Sequence, residues 1–136
     1  MIKSPTCLYT AFSGIFLLLQ GTSTLAFRLI PSLDEAFPAL LYITRMIPPH
    51  SILHILTGIV ALVVLFRGGE RGAFWFTTGF GIFYTGLAFF GMITHHPTIL
   101  GLQPFDHPFH LVLGMLGLLA AGLTFYRSRS RKRVLL

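Results

Sequence analysis

Four stretches of this 136-residue chain, 7–27, 49–66, 72–93 and 108–126, contain no Asp, Glu, Lys or Arg. At about 1.5 Å per helical residue, each can cross a hydrocarbon layer roughly 30 Å thick, the 18-residue second stretch only just. With 54% hydrophobic and 10% charged residues and a mean hydropathy of +0.77, the chain has more apolar surface than a water-soluble fold of this size can hide. The prediction is an all-α membrane protein with four transmembrane helices, a single domain over 1–136 that ends in a basic tail at 127–136.

The spans are not independent. His54-x3-Gly58-x2-Ala61-Leu62 in the second returns as His110-x3-Gly114-x2-Gly117-Leu118 in the fourth, and Ser13-Gly14-Ile15-Phe16 in the first is echoed by Phe80-Gly81-Ile82-Phe83 in the third. The unit is therefore a two-helix hairpin present twice. A unit with an even number of spans inserts both copies the same way up, which predicts a pseudo-two-fold axis along the membrane normal.

Charge fixes the expected orientation. Lys3, Arg67, Arg71 and the cluster Arg127, Arg129, Arg131, Lys132 and Arg133 fall on one side of a four-span arrangement, and only Arg28 and Arg45 on the other. The positive-inside rule then places both termini in the cytoplasm, with Asp34, Glu35, Asp106 and all six histidines on or near the outer side. The net charge of +6 comes largely from the tail cluster, which reads as lipid-headgroup contact. Nucleic-acid binding is not expected, because aromatic platforms and base-reading motifs are missing.

The first span resembles a signal peptide only superficially. Its apolar run exceeds the usual h-region and it has a counterpart later in the chain, so it is expected to be retained. With Cys7 as the one cysteine, no intrachain disulfide can form. In the long first outer loop, Ser32-x-x-Glu35 behind Pro31 is a capping-box pattern, predicting a short interfacial helix toward Arg45. Pro48-Pro49 should start the second span, Arg67 to Gly72 should form a tight inner turn, and the Pro/Gly-rich segment from His95 to Pro108 an ordered outer loop.

Gly58 and Ala61, and Gly114, Gly117 and Ala121, share or border the helix faces that carry His54 and His110. Small residues let helix backbones approach closely in lipid, so these positions are expected to pack, with spans two and four at the centre of the bundle. Phe-rich span three is expected to face lipid over much of its circumference. Gln20, with Thr22, Ser23 and Thr24, reads as interhelical hydrogen-bonding glue.

The segments His50-x-x-Leu53-His54-Ile-Leu-Thr-Gly58 and Asp106-His107-x-x-His110-Leu-Val-Leu-Gly114 resemble the bacterial membrane proteins of domain-of-unknown-function family 4383. The similarity runs from the first span to Phe125, with His107 standing where the family usually has Asn. It implies a four-span membrane protein and brings no activity with it.

His54 and His110 are the candidate cofactor-binding residues. Equivalent imidazoles in two related hairpins can converge on one haem iron or chlorophyll magnesium, or can simply hydrogen-bond across helices. His50, His95, His96 and His107 with Asp106 are numerous enough for zinc or copper but form no metal signature, so no metal site is assigned. Asp106 is the expected helix cap of span four, four residues before His110 and placed to orient it. No nucleophile elbow and no H-E-x-x-H occurs. The expectation is a non-enzymatic structural or accessory subunit of a bacterial-type inner membrane, with no cofactor, its partners being the bilayer and a homo-oligomer or larger membrane complex. The alternatives are a haem- or pigment-binding protein and a small channel or transporter.

Overall fold

The computed structural model describes residues 4–36, 46–96 and 98–134. They form α1 (Pro5–Leu29), α2 (Pro31–Ala36), α3 (Pro48–Thr94) and α4 (Asp106–Val134), and the fold is all-helical. α1, α3 and α4 are each long and apolar enough to cross a membrane, which marks an integral membrane protein.

Local chemistry sets the helix ends. Ser4 caps α1 by accepting the Cys7 N–H at 3.3 Å, with Pro5 in the first turn. Ile30, extended before Pro31, ends it, and Arg28 Nε donates to the Met46 carbonyl at 3.3 Å, tying the end of α1 to the entry of α3. α2 begins at Pro31, one residue before the expected cap Ser32, with the Leu33 N–H on the Ile30 carbonyl. The rest of the expected interfacial helix, including Arg45, lies outside the described residues.

α3 has 47 residues, which as one straight rod would measure about 70 Å, more than twice a hydrocarbon core. It is broken at Gly69, whose φ of 54° and ψ of −143° are non-helical. A Cβ on Gly72 would lie 2.9 Å from the Val64 carbonyl oxygen, although eight residues of straight helix span about 12 Å. The chain therefore doubles back at Gly69, and the expected six-residue turn contracts to one residue between two helical arms, 48–68 and 70–94. A Cβ at Gly69 meets nothing within 4 Å, so only the backbone conformation demands glycine. Gly69→Ala should lower unfolding stability in detergent by about 1–3 kcal/mol. Gly68→Ala, whose nearest neighbour would be 3.9 Å away, should not.

The packing is inverted relative to a soluble protein. α1 buries Thr6, Thr10, Ser13, Gly14, Gly21 and Thr24 and exposes Leu8, Phe12, Ile15 and Leu19. In lipid the large apolar side chains are already solvated, so the interior selects small residues and polar groups that satisfy one another. Thr10 meets Thr77 at 2.9 Å, Thr24 meets Ser51 at 2.9 Å, and the Tyr9 hydroxyl donates to the Leu113 carbonyl at 2.6 Å. Tyr9→Phe should cost about 1 kcal/mol, read as a lower unfolding midpoint, because the Leu113 carbonyl loses its second partner. Thr24, rather than Gln20, makes the interhelical bond in the polar patch of α1.

The glycines do not build a seam between spans two and four. A Cβ at Gly58 would press on the Gly14 carbonyl at 2.8 Å, and one at Gly114 on the Thr85 amide at 2.6 Å. The close approaches therefore join α1 to the first arm of α3 and α4 to its second arm. Gly117 faces the Tyr9 ring, Ala61 lies beside Gly14, and Ala121 is buried. Nor do spans two and four form a centre: each long helix buries one stripe. The second arm of α3 exposes Trp75, Phe83, Phe89 and Phe90 but buries Ala73, Thr77, Phe80, Tyr84, Ala88 and Gly91 at helical spacing. α4 continues past 126 to Val134, carrying the basic tail as helix, with the Arg129 guanidinium 4.6 Å from the Phe125 ring centre.

Candidate functional site

Pro48 and Pro49 start the first arm of α3 so that His50 and His54, four residues apart, fall on one face near its beginning. Gly58, one further turn along that face, lies against Gly14 and Leu18 and draws the arm onto α1. In α4 the same arrangement repeats, with His110 one turn before Gly114, which lies against Gly81 and Thr85. The side chains of His50, His54 and His110 are 1–2% exposed, and one ring nitrogen from each lies within 4.8 Å of the corresponding atoms of the others. Ring centroids are 4.5 Å apart for His50 and His54, 5.9 Å for His50 and His110, and 6.4 Å for His54 and His110.

The expected convergence of His54 with His110 is thus present, and His50 joins it. His50 carried no more sequence signal than the other outer histidines. The sign that could have singled it out is the i, i+4 spacing to His54 behind two prolines, a common way to aim two imidazoles at one point. The remaining histidines go elsewhere. His95 and His96 are exposed, His95 as the left-handed residue that ends α3 (φ 52°) and His96 accepting the Thr98 N–H through Nδ1 at 3.0 Å. His107 packs its imidazole on Gly91, where no Cβ would fit.

Asp106 is buried at the start of α4, but it does not work as the forward cap expected. Its Oδ2 reaches back to accept the Gln103 N–H at 2.7 Å while its own N–H donates to the Gln103 carbonyl at 2.9 Å. This is the return half of a capping box, made to a residue three positions upstream. Asp106 makes no hydrogen bond to His110, whose Nδ1 is buried without a partner, as are the Nδ1 atoms of His50, His54 and His107. Among the described residues no hydrogen bond joins the three clustered rings. Each buried polar atom left unpaired costs about 1–3 kcal/mol. An arrangement that repeats this in three neighbouring rings is expensive unless something satisfies them.

Tyr84 closes the cluster from the second arm of α3, its ring edge-on to His110 at 4.9 Å and stacked on Phe80 at 4.1 Å. Toward the chain's loops, Ile47 lies against Gly101, and Met46 and Leu102 are buried. The site is a buried cluster of imidazoles where the two histidine motifs meet.

A family model, domain of unknown function (DUF4383), matches residues 8–126. The chain belongs to this family. The matched segment takes in most of α1, both arms of α3 and most of α4, and so the whole histidine cluster. Comparison with curated proteins and with solved structures gives no match.

Proposed function

We propose that this member of the family is a non-enzymatic, four-span protein of a bacterial-type inner membrane, an accessory subunit whose two hairpins hold a bound group between their histidines. The observation that carries the reading is the meeting of His54 and His110 in a buried cluster that leaves ring nitrogens unpaired. Four spans follow if the arms on either side of Gly69 each cross the bilayer. The pseudo-two-fold repeat is supported by matching contacts. A Cβ on Gly14 would meet Leu62 at 3.0 Å and one on Gly81 would meet Leu118 at 3.0 Å, and these pairs occupy equivalent places in the two hairpins. Basic residues at 67, 71 and beyond 126 favour cytoplasmic termini.

Catalysis is disfavoured by how the hydroxyls are used. Thr10 and Thr77 bond each other, as do Thr24 and Ser51, so among the described residues no hydroxyl is bonded to a histidine base. A macrocycle held axially by His54 and His110 would have to run its plane through the His50 ring, which lies 4.5 and 5.9 Å from theirs. A smaller group suits the cluster better.

Purification from native membranes in mild detergent tests the reading. Self-association or a stable partner, with no Soret or chlorophyll band, is the expected outcome. Robust turnover by the isolated protein would remove the non-enzymatic assignment.

A further inference from the structure

The geometry points to a first-row transition-metal site formed by His50, His54 and His110, for an ion with imidazole preference such as zinc or copper. The inference rests on the proposed binding role and names its ligand. Three atoms no more than 4.8 Å apart share a centre within about 2.8 Å of each, against about 2.1 Å for a zinc–imidazole bond, so each ring closes by less than 1 Å. Rotation about the two side-chain torsions of a histidine covers that distance without moving a helix. The donor set is all nitrogen, which suits zinc, copper, nickel or cobalt and not magnesium or calcium, whose ligands are oxygens.

Two features make this a built site. The ligands come from both hairpins and stand on rigid helices, with Gly58 and Gly114 one turn away holding the backbones in close approach. Each of the three also keeps a buried Nδ1 without a hydrogen bond, and a cation bound among the three rings is a partner that can satisfy several buried imidazole nitrogens at once in a low-dielectric interior. Three protein ligands leave a fourth position open, the pattern of sites that bind a further small ligand.

The test uses the full-length protein in detergent, stripped with a chelator and titrated with Zn²⁺ and, as a spectroscopic probe, Co²⁺. One equivalent should bind, and zinc-edge X-ray absorption on the wild-type protein should count three imidazole nitrogens. His50→Ala, His54→Ala and His110→Ala should each weaken binding by about 100-fold or more, beyond the 10–100-fold typical of losing an outer-shell partner. His95→Ala, an exposed control, should bind as the wild type does. Absence of stoichiometric binding, fewer than three imidazoles at the metal, or wild-type affinity in His50→Ala would overturn the site. Failure here with a pigment retained would leave the binding role standing, whereas failure here with no other group bound in the purified protein would remove that role as well.

Discussion

Gly114→Leu should be the most damaging single substitution in the chain, lowering unfolding stability by about 3 kcal/mol or more, at the upper end of overpacking effects. Even the first carbon of a side chain there would sit 2.6 Å from the Thr85 amide nitrogen, and backbone cannot swing aside as a side-chain tip can. Gly58→Leu should behave alike, because its Cβ would lie 2.8 Å from the Gly14 carbonyl oxygen. In lipid, a lost close approach is not replaced by apolar collapse, since acyl chains solvate the separated faces equally well. Gly79→Ala and Gly86→Ala, with nothing within 4 Å of the added carbon, should instead be neutral or stabilising by up to about 1 kcal/mol through helix propensity. Denaturant unfolding in a mixed detergent, followed by circular dichroism, separates the two classes. Equal responses at all four positions would contradict the seams.

The second large effect concerns the histidines and depends on metal. In chelated protein, His54→Leu should equal or exceed the wild type in stability, by about 1 kcal/mol, because it replaces an unpaired buried nitrogen with carbon of similar bulk. With zinc at a thousand times the wild-type dissociation constant, the wild type should gain about 4 kcal/mol by mass action and the variant, binding about 100-fold or more weakly, at most about 1.4 kcal/mol. Thermal unfolding with and without the ion measures both. A parallel zinc response in the two proteins would show that the ion acts elsewhere, and marked destabilisation of the chelated variant would show that His54 has a structural partner.

Much of this arrangement was legible in the sequence because membrane periodicity and repeats are local signals. Uncharged runs marked the helices, Pro48-Pro49 the entry to α3, and the repeated His-x3-Gly spacing placed His54 and His110 at equivalent positions. What was not legible depends on which helix faces which. Gly58 and Gly114 announce close packing but not their partners, which prove to be Gly14 and the Gly81–Thr85 turn rather than each other. The i, i+4 spacing of His50 to His54 behind Pro48-Pro49 shows that the two share a helix face, but not what that face meets. The rotation of the α3 arm, set by the Gly58 contact, turns His50 inward. Asp106 was recognisable as a helix-start residue, but its carboxylate turns back to the Gln103 N–H, and that depends on the loop's course through Gln103. The reversal confined to Gly69 follows from a single positive φ, which the sequence shows only as one glycine among several.

The central claim is that the chain makes two equivalent hairpins, so that the arms of α3 cross the bilayer separately and the histidine motifs meet at one end. The most direct test is the sidedness of three positions in intact cells: tags at each terminus and one inserted at Gly101. Both terminal tags should be cytoplasmic and the Gly101 tag exposed outside. Termini on opposite faces of the membrane, as three crossings would give, would contradict the account.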